Sequence, residues 1–175
     1  MTEKDFVFKL VLLGEAAVGK TSIVYRFVRN MFKENLASTL GVNISKKTFY
    51  LDEEKEQVRV LLWDLGGDQK FVNMRKTFIM GARGALLIFD LTRRNTLEAL
   101  DKWRLNFIEI MGEQPMLLIG NKSDLTDHIT ISNEEAEHYA QKNNLQLIIT
   151  SAKTGENVEA AFKELVKDII QIYNQ

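Results

Sequence analysis

Short apolar runs alternate along this chain with longer amphipathic segments, and this alternation constrains the fold more than any other feature. Two of the runs, 84–90 and 116–120, are apolar without interruption, as expected of strands that are covered on both faces. Strands joined by helical segments predict an α/β fold, a mostly parallel sheet with helices on both faces. The predicted strands are 6–13, 42–51, 57–64, 84–90, 116–120 and 145–150.

The helices are predicted from apolar spacing and from capping residues. Residues 20–29 follow the first strand and its glycine loop, and the last helix carries an apolar stripe at i, i+3, i+4 and i+7 over 158–173. Two pairs have the spacing of a reciprocal N-terminal cap and predict helix starts: Asn95 with Glu98, and Ser132 with Glu135.

Length and composition exclude several classes of protein. The 175 residues fit one domain, 1–175, and 45% of them are hydrophobic. The net charge of −1 offers no basic field for nucleic acid, and the absence of cysteine excludes disulfides and thiolate metal sites. Neither a signal peptide nor a membrane-spanning run is predicted. We therefore expect a soluble, cytoplasmic and monomeric protein.

A phosphate-binding loop is predicted at 14–21, GEAAVGKT, because a strand precedes it and a helix follows it. Its glycines let backbone N–H groups turn toward phosphate oxygens, and the helix adds the positive end of its dipole. Lys20 can reach the β- and γ-phosphates, and the Thr21 hydroxyl can bind Mg²⁺. A dinucleotide-binding fingerprint fits less well, because Ala16 stands where it requires glycine.

The base is predicted from NKSD, 121–124, which follows an apolar strand. The Asp124 carboxylate can accept two hydrogen bonds from guanine, from N1–H and from the exocyclic amine. Adenine lacks both donors and would leave a buried charge unpaired. The Ala152 N–H can meet the base carbonyl and Lys153 can cover the ring. These residues favour guanine and oppose an ATP-dependent phosphotransferase that uses the same loop.

Several segments together resemble the Ras superfamily of small GTPases, and its Rab-like branch in particular. The resemblance implies a G domain, with a doubly wound six-stranded sheet and five helices, that binds GTP or GDP with Mg²⁺. The segments that carry it are GEAAVGKT (14–21), STLGVN (38–43), WDLGG (63–67), FDLT (89–92), NKSD (121–124) and TSAKTGENV (150–158).

The resemblance also assigns roles to single residues. Thr39 matches the first-switch threonine that closes over Mg²⁺ and the γ-phosphate, and Phe32 matches the aromatic residue beside the guanine. Thr21, Thr39 and Asp64, the last through water, are the implied metal-binding residues. The implied catalytic residues are Lys20, Thr39 and Gly67. The implied nucleotide-binding residues are Glu15, Ala16, Ala17, Val18, Gly19, Lys20, Thr21, Ser22, Phe32, Thr39, Gly67, Asn121, Lys122, Asp124, Leu125, Ser151, Ala152 and Lys153.

The sequence departs from the family pattern after Gly67, where most relatives have a glutamine that orients the attacking water. Asp68 holds that position and Gln69 follows it. This order allows three interpretations. Gln69 takes over the role of the glutamine, Asp68 acts with a displaced water, or intrinsic hydrolysis is slow and depends on a partner. We favour slow turnover, because a carboxylate close to the γ-phosphate would be repelled. The alternative is a GTP-binding recruitment module with little or no hydrolysis.

The resemblance implies partners at the two switch segments: effectors, exchange factors and activating proteins, in vesicle trafficking or related signalling. Rab relatives usually extend into a tail that ends in prenylated cysteines, whereas this chain ends at Tyr173-Asn174-Gln175 without cysteine. The expectation is that a tail was removed, or that this protein reaches membranes only through a partner.

Overall fold

The strands lie where the apolar runs predict them, within one residue at each end. The computed structural model describes residues 5–51, 56–67 and 72–174, without the side chains of Val72 and Asn73. Its strands are β1 (Asp5–Leu13), β2 (Val42–Leu51), β3 (Glu56–Leu65), β4 (Gly84–Asp90), β5 (Met116–Asn121) and β6 (Gln146–Ile149).

The described ranges contain six α-helices, where the resemblance implies five. The additional helix arises at Ala99, which separates α3 from α4 but keeps helical angles, φ −70° and ψ −15°. No helix among the described residues is long and apolar enough to cross a membrane. The helices are α1 (Lys20–Arg29), α2 (Val72–Ile79), α3 (Arg94–Glu98), α4 (Leu100–Met111), α5 (Asn133–Lys142) and α6 (Val158–Tyr173).

The six strands form one doubly wound sheet in the order β2-β3-β1-β4-β5-β6. β2 runs antiparallel to β3, and the other neighbouring strands are parallel. The predicted α/β sheet is thereby confirmed. The connection after β1 leads to β2 on one side of that strand, and the connection after β3 leads to β4 on its other side. Ligands of such sheets bind outside the carboxyl ends of the strands, at this switch point.

Helices cover both faces of the sheet, and β1 shows how the sequence places them. Phe8, Leu10 and Leu12 pack on the side of α1 and α6. Val11 and Leu13 point to the opposite face, where α2, α4 and α5 lie. This alternation follows from the two-residue period of a strand. The two cores fix the carboxyl ends of the strands, from which the functional loops extend.

The predicted cap of α5 is confirmed. The backbone N–H of Glu135 donates to Ser132 Oγ at 3.2 Å, and the Ser132 N–H donates to Glu135 Oε2 at 2.9 Å. Two N–H groups that the helix leaves unpaired are satisfied in this way.

The predicted cap at Asn95 and Glu98 is wrong. α3 begins at Arg94, one residue before Asn95, and has no side-chain cap. The Thr96 hydroxyl instead accepts from the Asp90 N–H at 2.9 Å and donates to the Arg93 carbonyl at 2.7 Å. The bond to Asp90, at the end of β4, ties the helix start to the strand, so this connection overrides the local spacing.

Candidate functional site

A cleft of about 870 Å³ opens at the carboxyl end of the sheet. The loops that follow β1, β5 and β6 meet there with residues 32–40 and 66–67. Most of the residues implied for nucleotide binding line this cleft: Ala16, Ala17, Gly19, Lys20, Thr21, Ser22, Phe32, Thr39, Gly67, Asn121, Lys122, Asp124, Leu125, Ala152 and Lys153.

The loop between β1 and α1 has a backbone that requires glycine at two positions. Gly14 has φ +149°, and a Cβ there would lie 2.2 Å from the Ile88 carbonyl oxygen. Gly19 has φ +102°, and its Cβ would lie 2.3 Å from Asn121 Nδ2. Ala17 is also left-handed, with φ +62°. The glycine spacing therefore reflects both a tight turn and close approach of neighbouring strands.

Lys20 lies across this loop with its ammonium group buried. Its Nζ donates to the carbonyls of Gly14 and Glu15, each at 2.8 Å. Burial lowers the pKa of Lys20 to about 8, although the nearby carboxylates of Asp64 and Glu15 raise it in part. A desolvated cation at the first turn of α1 attracts anions strongly.

Three oxygen-bearing side chains converge beside Lys20. Thr21 Oγ1 lies 2.7 Å from Thr39 Oγ1 and donates to Asp64 Oδ2 at 2.5 Å, and the Thr39 hydroxyl donates to the same oxygen at 3.3 Å. Burial raises the pKa of Asp64. Within the described residues, Asp64 Oδ1 is buried without a hydrogen-bond partner. The same residues contain no group of three His, Cys, Asp or Glu side chains that could hold a metal ion. Hydroxyl and carboxylate oxygens are ligands that suit Mg²⁺.

The segments around Thr39 and Gly67 lie against each other and against the loop after β1. The Gly66 N–H donates to the Gly41 carbonyl at 2.8 Å. A Cβ at Gly67 would lie 2.3 Å from the Ala16 nitrogen, so glycine is needed for this close approach. The next two residues, Asp68 and Gln69, fall outside the described ranges.

Asn121 ties three loops together at the end of β5. Its Nδ2 donates to the Val18 carbonyl at 2.9 Å. Its Oδ1 accepts from the Thr150 hydroxyl and from the Ala152 N–H, each at 3.2 Å. The side chain is buried, so these bonds replace contacts with water.

Asp124 and the loop after β6 form the far end of the cleft. The buried Ser151 hydroxyl donates to Asp124 Oδ1 at 2.6 Å and so orients the carboxylate. Arg26, on α1, fixes the neighbouring backbone, since its guanidinium donates to the carbonyls of Ala152 at 2.9 Å and Lys153 at 2.5 Å. Arg26 did not stand out in the sequence, because no motif contains it.

Three predicted residues lie outside the lining of the cleft. The Glu15 carboxylate accepts from Trp103 Nε1 at 2.9 Å. Val18 is buried in the core, and Ser151 is buried behind Asp124. Glu15 and Val18 belong to the loop through their backbones, whereas Ser151 acts on the site through the carboxylate that it holds.

Two residues beside the site were not predicted from the sequence. Asp90 is buried at the end of β4 and pairs with Lys122 at 2.6 Å. Arg93 donates from Nη2 to the Ala16 carbonyl at 2.9 Å. For Asp90 the sequence did offer a signal, because an acidic residue ends an otherwise apolar strand and acidic residues are rarely buried.

The fold and the site define a P-loop protein of the α/β class. Its sheet is mostly parallel, a glycine loop follows β1, and Lys20 and Thr21 begin α1. The Ras family model matches residues 9–171. Ras-related protein RABA4a of Arabidopsis thaliana is 36% identical over 173 residues, which cover 98% of this chain and 75% of that protein. GTP-binding protein ypt3 of Schizosaccharomyces pombe is 34% identical over 171 residues, 97% of this chain and 79% of that protein. Ras-related protein Rab-25 of Homo sapiens is 38% identical over 171 residues, 96% of this chain and 79% of that protein. The chain therefore belongs to the Ras family, in its Rab-like branch.

Proposed function

We propose that this chain is a guanine-nucleotide-dependent molecular switch that binds GTP and GDP with Mg²⁺ and hydrolyses GTP slowly without a partner. The observation that carries the proposal is the cleft itself, with the Lys20 ammonium group at one end and the Asp124 carboxylate at the other. A ligand with an anionic end and a donor-bearing base is complementary to both. The name of one relative, GTP-binding protein ypt3, supports the same ligand.

The phosphate end acts through fixed donors. We expect backbone N–H groups of residues 15–22, at the N-terminus of α1, to face the anion, and Lys20 to neutralise its charge at the β- and γ-positions. Because Lys20 is desolvated and already tied to two carbonyls, little reorganisation is needed when phosphate binds. Thr21, Thr39 and Asp64 would hold the Mg²⁺ ion, Asp64 through water. When bound, the ion would neutralise charge on the β- and γ-phosphates.

The base end acts through geometry. Asp124, oriented by Ser151, would accept from the two donors of guanine, and the Ala152 N–H would donate to the base carbonyl. Phe32, Leu125 and Lys153 also line the cleft, and we expect them to pack against the base. An oriented acceptor of this kind discriminates against a base without donors, because the carboxylate would remain unpaired in the complex.

The switch would consist of the segments around Thr39 and Gly67. Both lie against the phosphate loop, so a γ-phosphate that accepts from the Gly67 N–H and approaches Thr39 would order them together, and its loss would release them. Exposed apolar side chains lie on or near these segments, with Leu40 77%, Ile44 55% and Met74 50% exposed. We propose that effectors, exchange factors and activating proteins bind this surface.

Lys20, Thr39 and Gly67 would stabilise the charge that develops during hydrolysis. Asp68 in place of glutamine is the reason to expect slow intrinsic turnover, with Gln69 as the nearby substitute. The second candidate, a recruitment module with little or no hydrolysis, rests on the same residue. By analogy with its Rab relatives, the protein would act in vesicle trafficking or related signalling, cytoplasmic and peripheral to membranes.

Single-turnover hydrolysis of preloaded GTP tests this function. We expect GDP and phosphate to form slowly in wild type and faster in Asp68→Gln. Gln69→Ala tests the neighbouring position, since it should slow hydrolysis further if Gln69 takes over the role of the usual glutamine. No product from wild type, with tight GTP binding retained, would favour the recruitment module. Failure to bind GTP at all would refute both candidates.

A further inference from the structure

We propose that Asp90 and Arg93 are positioning residues for the phosphate-binding loop and control how long a nucleotide stays bound. This inference rests on the proposed function, since it concerns the loop that would hold the phosphates. Neither residue lines the cleft, and each acts through a partner that does.

The Asp90 carboxylate is buried and fully paired. Its Oδ1 accepts from the Thr92 N–H at 2.9 Å and from the Thr92 hydroxyl at 2.7 Å. Its Oδ2 lies 3.1 Å from Arg93 Nε and 2.6 Å from Lys122 Nζ. One oxygen thus fixes the turn after β4, and the other holds two cations side by side.

Each of these two cations holds one carbonyl of the loop. Arg93 Nη2 donates to the Ala16 carbonyl, and Lys122 Nζ donates to the Ala17 carbonyl, both at 2.9 Å. The C=O and N–H of a trans peptide point in opposite directions. Holding these two carbonyls therefore turns the N–H groups of Ala17 and Val18 away from the cations. Asp90 fixes the two cations, and the cations in turn fix two successive N–H groups of the phosphate-binding loop.

The conformation that this arrangement maintains is unfavourable for the residue present. Ala17 has φ +62°, a left-handed conformation that costs an alanine free energy and persists only where the surroundings hold it. Its carbonyl is the one that Lys122 binds. Without the carboxylate that anchors both cations, the loop would relax toward conformations with fewer inward N–H groups.

The chemistry of the two residues suits this role. Arg93 uses Nε for Asp90 and Nη2 for Ala16, and a lysine could not span both acceptors with fixed geometry. Burial alone would raise the pKa of Asp90, but hydrogen bonds from Lys122 and Thr92 outweigh it and hold that pKa below its ordinary value. The carboxylate is therefore ionised at neutral pH and attracts both cations.

The test compares Arg93→Gln with Arg94→Gln. Arg94 is the neighbouring arginine and is a matched control, since it pairs with Glu135 and donates to the Thr130 carbonyl without contacting the loop. The measurement is the dissociation rate of fluorescently labelled GDP from the whole chain. Loss of a charge-assisted bond to the loop should speed release in Arg93→Gln by roughly 5- to 30-fold. Arg94→Gln should stay within about twofold of wild type, because surface changes usually have small effects.

Two further measurements separate positioning from general destabilisation. Arg93→Lys keeps the charge but not the fork, so its release should also be faster than that of wild type. The ratio of GMP to GDP dissociation constants should fall in Arg93→Gln, because the loop holds the β-phosphate, whereas loosening of the whole fold would weaken both nucleotides equally. Asp90→Asn should reproduce this change in the ratio.

The outcomes separate a failure of the proposed function from a failure of the positioning role. Wild type that fails to bind GDP would overturn the proposed function, and this inference with it. Wild type that binds GDP, with Arg93→Gln releasing it no faster than Arg94→Gln, would overturn the inference alone. An unchanged ratio of GMP to GDP dissociation constants in Arg93→Gln would do the same.

Discussion

Removing the Ser151 hydroxyl should weaken GDP binding although this side chain would not touch the nucleotide. Ser151 is fully buried, and its Oγ donates to Asp124 Oδ1 at 2.6 Å. Ser151 Oγ also accepts from the Thr154 N–H at 3.1 Å, so the hydroxyl proton is directed at the Asp124 carboxylate. In Ser151→Ala, Asp124 loses the bond that fixes its orientation.

The size of the effect follows from the burial of the two partners. A hydrogen bond to a charged group contributes about 1.5–3 kcal/mol. Asp124 is only half-buried, and water would replace part of the lost bond. We therefore expect a loss of about 1–2 kcal/mol, or roughly 5- to 30-fold in the dissociation constant of GDP.

Equilibrium titration with GDP and with inosine diphosphate is the assay. Hypoxanthine lacks the exocyclic amine, so a misoriented Asp124 should reduce the preference for GDP over inosine diphosphate. Thr154→Val is the control, because the Thr154 hydroxyl accepts from the exposed Glu156 N–H at 3.2 Å, and we expect a change below about twofold. Equal affinities in Ser151→Ala and Thr154→Val would refute the reasoning.

Two other predictions concern the phosphate end of the cleft. In Gly67→Ala, the new Cβ would lie 2.3 Å from the Ala16 nitrogen, so the segment must move and the preference for GTP over GDP should fall in competition titrations; an unchanged preference would contradict the contact. Burial lowers the pKa of Lys20 to about 8, and a phosphate against Nζ would raise it, so binding takes up a proton between about pH 8 and 10. GDP affinity should therefore decline as pH rises through this range in wild type but not in Lys20→Met, as titrations at several pH values can check, and parallel profiles would count against this role of Lys20.

The sequence predicts elements whose signals are local. The strands at 84–90 and 116–120 are apolar throughout because both faces of the sheet are covered, so their bounds agree with the structure within one residue. The glycine spacing of 14–21 predicts the loop because Gly14 and Gly19 adopt conformations that a Cβ would obstruct. Backbone geometry of this kind can be predicted from the sequence, because it restricts the residue type at the position itself.

Contacts between residues far apart in the chain could not be predicted in this way, because no local pattern specifies the partner. The cap at Asn95 failed because Thr96 bonds to the end of β4 instead. The cluster of Thr21, Thr39 and Asp64 joins residues 18 to 43 positions apart, and only the family resemblance could bring them together before the structure. The link from Glu15 to Trp103 spans 88 positions and was not predicted.

Nucleotide competition tests the central claim that the cleft selects guanine and holds its phosphates. Labelled GDP is bound to the whole chain, and unlabelled GDP or ADP is added. We predict that GDP displaces the label at stoichiometric amounts while ADP fails at about a thousandfold excess, within the discrimination of roughly 10⁴–10⁵ that such sites reach. Asp124→Ala should lose most of this preference. Displacement of the label by ADP at concentrations similar to GDP would contradict the account.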